Sequence, residues 1–235
     1  MSVLRLGFGA KLWNVLFDPR KTFANVGSNH EWVIIWLILS VGSLAAYQPM
    51  KPIIKQSQMA QFEEQMKKNE GMTAEQKQQI RDRMESQFDN PIWQLVVPVA
   101  ELIMIVLVGG ILMFLGNIIL GGNTSYRQML NAYAWTTMLA IPGWLVTVPL
   151  VLARGSMDVS IGLGALTSAE TGVFIKTLLT KFELFGLWQV WLSSVAVSVL
   201  ANVRAGKAFV AVFVTWFIWV VMQSGLATLG IRFGM

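Results

Sequence analysis

The chain contains no cysteine, and its 235 residues include a single histidine, His30. Without thiols, disulfides, thiolate metal sites and cysteine nucleophiles are excluded. One imidazole also makes a zinc or haem site an unlikely use of this sequence. Charge is scarce: 13% of residues are Asp, Glu, Lys or Arg, where a water-soluble domain has about a quarter. The net charge of +5 is small and lies in no dense Lys/Arg run. It points to anionic lipid headgroups and away from nucleic acid. No HExxH, GxSxG or paired-carboxylate pattern occurs, so neither catalysis nor a cofactor is expected. Gly121-Gly122 is no phosphate loop, because no strand precedes it and no Gly-Lys-Ser/Thr follows.

What is abundant is apolar: 54% of residues are hydrophobic, with ten Trp and thirteen Phe. From Ile92 to Leu120 the chain runs 29 positions with one ionisable side chain, Glu101. As a helix this is ~43 Å long, against a bilayer hydrocarbon core of ~30 Å. The spacing predicts a spanning helix, tilted or kinked at Pro98. Gly109, Gly110 and Gly116 roughly share a side with Glu101, so a second helix is expected to pack closely there. Further spans are expected at Trp32–Tyr47, with Pro49 and Pro52 marking its exit, and at about Met129–Ala153, Phe182–Asn202 and Ala208–Ile231. The fold class is all-α: a polytopic bundle of five transmembrane helices.

Two segments decorate it. Residues 1–30 lack the uninterrupted apolar run of a secretory signal. Phe8, Leu12, Trp13, Leu16 and Phe17 recur at helical spacing, with Lys11, Asn14 and Asp18 elsewhere. That pattern predicts an amphipathic interfacial helix ended by Pro19, read as a membrane or partner contact or as a lid on the spans. Residues 31–235 form the spanning domain, with a polar helical hairpin inserted at about 53–90. The hairpin carries seven acidic and six basic residues. Its two thin stripes, Met59, Phe62, Met66 and Ile80, Met84, Phe88, are the candidate partner-binding residues. Asn69-Glu70-Gly71 separates them, and Thr73-Ala74-Glu75-Gln76 predicts a capping box.

Glu101 is the sharpest intramembrane polar candidate, with Asn117, Asn131 and Gln189 beside it. A helix beginning at Ile92 puts Glu101 ~14 Å deep, as a proton or cation site. A helix restarting at Pro98 puts it near the interface, where the helix N-terminus favours negative charge. The amides line a polar path or, more commonly, tie helices together. Outside the hairpin, basic residues favour a cytoplasmic N-terminus and an extracytoplasmic C-terminus: Arg5, Lys11, Arg20, Lys21, Arg127, Arg204 and Lys207 against Arg154, Lys176, Lys181 and Arg232.

Several runs together resemble the Yip family, the Rab-interacting five-span membrane proteins, in its bacterial branch. They are Leu16-Phe17-Asp18-Pro19-Arg20-Lys21-Thr22-Phe23, Gly121-Gly122, Ser125-Tyr126-Arg127-Gln128, Ala132-Tyr133-Ala134 with Pro142, Phe182-Glu183-Leu184-Phe185-Gly186-Leu187-Trp188, and the short Arg204–Lys207 turn. The resemblance covers nearly the whole chain through soft, mostly structural motifs. It implies five spans, a cytoplasmic N-terminus, the bacterial inner (cytoplasmic) membrane, no cofactor and no enzymatic activity. The acidic N-terminal motif of eukaryotic relatives has no counterpart here, so their GTPase contact is not carried over. The resemblance further implies an adaptor or accessory subunit of another membrane complex, an ABC exporter of the macrolide or antimicrobial-peptide type or its adaptor. A homo-oligomer is left open. The competing expectation is a small proton- or ion-coupled transporter or channel using Glu101 and the mid-span amides.

Overall fold

Prolines decide where the long apolar runs break. Proline offers no N–H to the carbonyl four residues back, and its ring presses on that carbonyl. The computed structural model describes residues 6–68, 73–168 and 170–229; Arg5, Asn69-Glu70-Gly71 and Arg232 lie outside them. For Pro98 the affected carbonyl is Gln94, where helix α5 (Pro91–Gln94) ends. Helix α6 (Val96–Phe114) follows and closes in a π turn, Leu115–Ile119. The span is therefore Val96–Ile119, 24 residues, shorter than the expected run from Ile92. Pro98 sits third in α6, where an N–H has no intrahelical partner to lose. Pro142 acts alike on the carbonyl of Met138. Helix α7 (Tyr126–Thr137) stops beside it and α8 (Ala140–Arg154) begins two residues later. The span expected over about Met129–Ala153 is found as Tyr126–Arg154, interrupted between α7 and α8.

Pro49 and Pro52 behave differently. Both lie inside helix α3, Glu31–Lys68, 38 residues without interruption. The expected exit at these prolines is not found. The carbonyls they free belong to Ala45 and Gln48, both exposed, and the helix continues through them. The first apolar span and the first arm of the hairpin therefore lie on one helix. The second arm is α4 (Ala74–Asp89). Short helices α1 (Phe8–Phe17) and α2 (Pro19–Ala24) precede α3. Helices α9 (Val173–Thr180), α10 (Leu184–Leu200) and α11 (Ala205–Thr228) complete the chain. Among the described residues, four stretches are long and apolar enough to cross a membrane: Glu31–Glu63, Val96–Ile119, Tyr126–Arg154 and Ala205–Thr228. The apolar α10 has 17 residues, ~26 Å, a few Å under the hydrocarbon thickness. The protein is an all-α, multi-pass membrane bundle.

The chain divides into two compact units. The first comprises Met1–Leu37, Leu102–Ala140 and Ser160–Met235. Its core joins Leu112 and Leu115 to Met129 of α7, Val190 and Val197 of α10, and Ala208 and Val212 of α11. Glycines bring the backbones together. A Cβ on Gly109 would lie 3.0 Å from the Leu130 Cα, and one on Gly116 would lie 3.1 Å from the Ala201 Cβ. The turn after α6 is held the same way, because a Cβ on Gly122 would meet the Ala201 carbonyl oxygen at 2.5 Å. Asn202 turns the chain from α10 to α11 at φ 53°, a left-handed conformation asparagine tolerates. A row of Phe209, Phe213, Trp216 and Phe217 along α11 meets Phe182, whose ring centroid is 5.2 Å from that of Trp216.

The second unit comprises Ile38–Glu101 and Ile141–Val159. Here Gly42 admits the Trp144 ring, so close that an added Cβ would overlap it at 2.5 Å. Helix α4 starts with the expected reciprocal cap: Thr73 N–H donates to Gln76 Oε1 (3.0 Å) and Gln76 N–H to Thr73 Oγ1 (3.3 Å). Arg81 reaches from α4 to Glu63 of α3 at 3.3 Å.

Candidate functional site

The densest polar cluster in the first unit is built on Glu31, the first residue of α3. Helix α1 turns Lys11 and Val15 inward, while Trp13 and Phe17 are each 65% exposed. Lys11 is only 4% exposed, and its Nζ donates to Glu31 Oε1 at 2.7 Å. Asn29 Nδ2 donates to the same oxygen (2.8 Å). Trp135 Nε1, from α7, donates to Oε2 (2.8 Å). A half-buried carboxylate thus has a counter-charge and two neutral donors, and the buried Lys11 ammonium has its counter-ion, which is what burial of a charge requires. The Phe8 ring lies 4.9 Å from Trp135, closing the apolar side.

Asn131, one turn before Trp135, does the complementary work on backbone. Its Nδ2 donates to the carbonyls of Gly27 (2.8 Å) and Asn29 (2.7 Å), and its Oδ1 accepts from Trp32 N–H (2.9 Å). Helix starts leave N–H groups without intrahelical partners, and α3 receives one of its acceptors from another helix. Thr22 Oγ1 donates to the Lys11 carbonyl (3.3 Å), so α2 joins α1 to the same cluster. The arrangement fixes the N-terminal segment to α7 and α3. It has the groups for holding a helix, and its one carboxylate is fully engaged.

The other candidates are placed as follows. Phe8 is half-buried on Trp135, Leu16 is half-buried, and Leu12, Trp13 and Phe17 project outward. Lys11, expected on the polar face, is instead inside. Met59, Phe62, Met66, Ile80, Met84 and Phe88 are all half-buried. Met84 and Phe88 line a cleft of about 160 Å³ with Ser43, Tyr47, Gln58 and Val97. Gly109 and Gly116 sit at helix contacts, and a Cβ on Gly110 would lie 3.7 Å from the Tyr126 ring. Asn117 is spent on the turn, donating to the Thr124 carbonyl (2.8 Å) and accepting from its N–H (2.9 Å). Gln189 hydrogen-bonds the Tyr133 hydroxyl. Asn117, Asn131 and Gln189 therefore each serve separate local contacts. Glu101 lies five residues after the start of α6, ~7.5 Å along the axis. Ser43 lies beside its carboxyl but donates its hydroxyl proton to the Ser40 carbonyl (3.1 Å), and Oε2 is buried without a hydrogen-bond partner among the described residues.

Lys11, Asn29, Glu31 and Trp135 were not among the residues singled out from sequence. The available signal was Lys11 itself, a lone cation whose helical neighbours Phe8 and Val15 are apolar. A second cue was an acid placed directly before the first apolar run.

No curated protein and no solved structure matches the chain. The family model of the Yip1 domain matches residues 13–226, from within α1 almost to the end of α11. The glycine contacts and the Glu31, Asn131 and Trp135 members of the buried cluster fall inside that match, Phe8 and Lys11 just before it, and the chain belongs to the Yip1 domain family of membrane proteins.

Proposed function

We propose that this protein is a non-enzymatic adaptor or accessory subunit that binds another membrane complex. The observation that carries this reading is the hairpin. A continuous helix leaves the apolar span, and a capped second helix, bridged to it by the exposed Glu63–Arg81 pair, presents charge on an otherwise apolar chain. An ABC exporter or its adaptor is the partner class implied by the bacterial resemblance. In bacteria the site of action would be the inner membrane, with the N-terminus cytoplasmic and the C-terminus outside. The test is affinity purification in mild detergent of the full chain and of a chain lacking residues 55–88. A stoichiometric membrane partner should accompany the first and not the second. An unchanged partner set overturns the role of the hairpin. Orientation is checked independently. The chain lacks cysteine, so a single thiol at Arg127 or Arg154 reports its side to an impermeant maleimide.

One observation favours a second reading. The unpartnered Oε2 of Glu101, beside Ser43, suits a proton or cation site in a small transporter. Proton-coupled flux in liposomes that is abolished by Glu101→Gln would displace the adaptor reading.

A further inference from the structure

We propose that the groove between the end of α6 and the start of α11 seats one anionic phospholipid, its acyl chain along the groove and its phosphate on Arg204 and Lys207. The groove encloses about 770 Å³ and lies wholly within the first unit. Leu115, Ile119 and Leu120 form one wall, and Val210, Ala211 and Val214 form the other. Arg204 and Lys207 stand at its mouth, both exposed. Neither makes an ion pair among the described residues, and the first turn of α11 holds no acidic residue.

Shape and charge select the occupant. From Lys207 to Thr215, the lining residue farthest along α11, is ~12 Å along the helix axis, close to the ~15 Å hydrocarbon depth of one leaflet. An apolar trough of that length with two free cations at its polar end fits one acyl chain below one phosphate. A soluble anion would use the cations and leave the trough empty. The π turn contributes the first wall: Leu120 N–H bonds the Leu115 carbonyl five residues back (3.0 Å), a widened turn of a kind found frequently at functional sites. Gly122 seats the following loop against Ala201, which fixes the end of α6 beside the start of α11. On the orientation proposed above, this mouth faces the cytoplasmic leaflet, where anionic lipid is enriched.

The test is native mass spectrometry of the intact chain in detergent, with dioleoyl-phosphatidylglycerol, dioleoyl-phosphatidylcholine or inorganic phosphate added in turn. One phosphatidylglycerol should be retained per chain in preference to phosphatidylcholine, and inorganic phosphate should not displace it. A basic residue at an anionic surface is worth about five-fold, so Arg204→Gln with Lys207→Gln should weaken retention about thirty-fold. Ala211→Trp, which keeps both charges and fills the trough, should also weaken it. Equal retention of the two lipids, displacement by inorganic phosphate, or unchanged retention in either variant overturns the proposal. Loss of the hairpin's partner in the deletion experiment leaves it untouched, because the groove contains no residue from 55–88.

Discussion

Replacing Lys11 with methionine should release the N-terminal helix without unfolding the bundle. Methionine keeps the stem and removes the charge, so Glu31 retains Trp135 and Asn29 as donors but loses its counter-ion. Removing one partner of a buried ion pair costs about 3–5 kcal/mol. The Glu31 side chain keeps 15% exposure, which places the cost at the low end, about 3 kcal/mol. That energy falls on the contact that holds α1, so local opening should become roughly 150-fold more frequent. A cysteine at Val15, 1% exposed on the inner face of α1, is the reporter. In the parent it should react slowly with maleimide, and Lys11→Met should raise its rate by about two orders of magnitude. Glu31→Gln should also raise it, by leaving Lys11 buried without a partner. The double variant should then lose less than the sum, with a coupling of about 2 kcal/mol. If the thiol reacts at the parent rate in Lys11→Met, or if the two substitutions simply add, the ion pair does not hold the helix.

Four further outcomes follow from single contacts, each read as thermal unfolding in one detergent. Asn131→Leu strands the Trp32 N–H and two carbonyls and should cost about 2–4 kcal/mol. Gly109→Val must push α6 from the Leu130 backbone, 3.0 Å from the new Cβ, and should cost about 1–3 kcal/mol. Ser125→Ala removes the side-chain cap of α7, which Ser125 shares with Gln128, at about 1 kcal/mol. Glu63→Gln breaks a pair whose side chains are 49% and 46% exposed, so stability should move by less than about 1 kcal/mol.

Much of the fold was legible because it depends on local rules. Charge-free length marked the spans, and glycine spacing marked the sides where α6 meets α7 and α10. The Thr73–Gln76 cap followed from four adjacent residues. Proline was read less well, because its effect depends on its position. Pro98 and Pro142 break the chain three or four residues upstream, whereas Pro49, Pro52 and Pro149 lie within intact helices. Nothing local separates the two outcomes. The Lys11–Glu31–Trp135 cluster was illegible for a different reason. Its members are 20 and 104 residues apart, and helical periodicity alone put Lys11 on the outer face. Periodicity ranks faces by apolarity; it does not register that one acid elsewhere can make a buried lysine cheaper than an exposed one.

The disposition of polar groups bears on the two functional readings. A conduction path needs polar atoms with capacity to spare, arranged in sequence across the bilayer. In the first unit three of the amides are used locally: Asn131 serves the start of α3, Asn117 closes the turn after α6, and Gln189 meets Tyr133. Ser193, Ser194 and Ser224 bond carbonyls of their own helices. Each such contact lowers the cost of a polar group in lipid by fixing it to a neighbour, and each makes helix packing more specific. A bundle whose polar groups are used in this way resists rearrangement, which suits a subunit that presents surfaces to lipid and to a partner. Glu101 is the exception, with one carboxylate oxygen unengaged among the described residues. The transport reading therefore rests on Glu101 and Ser43 alone, and the comparison of Glu101→Gln with the 55–88 deletion decides between the two.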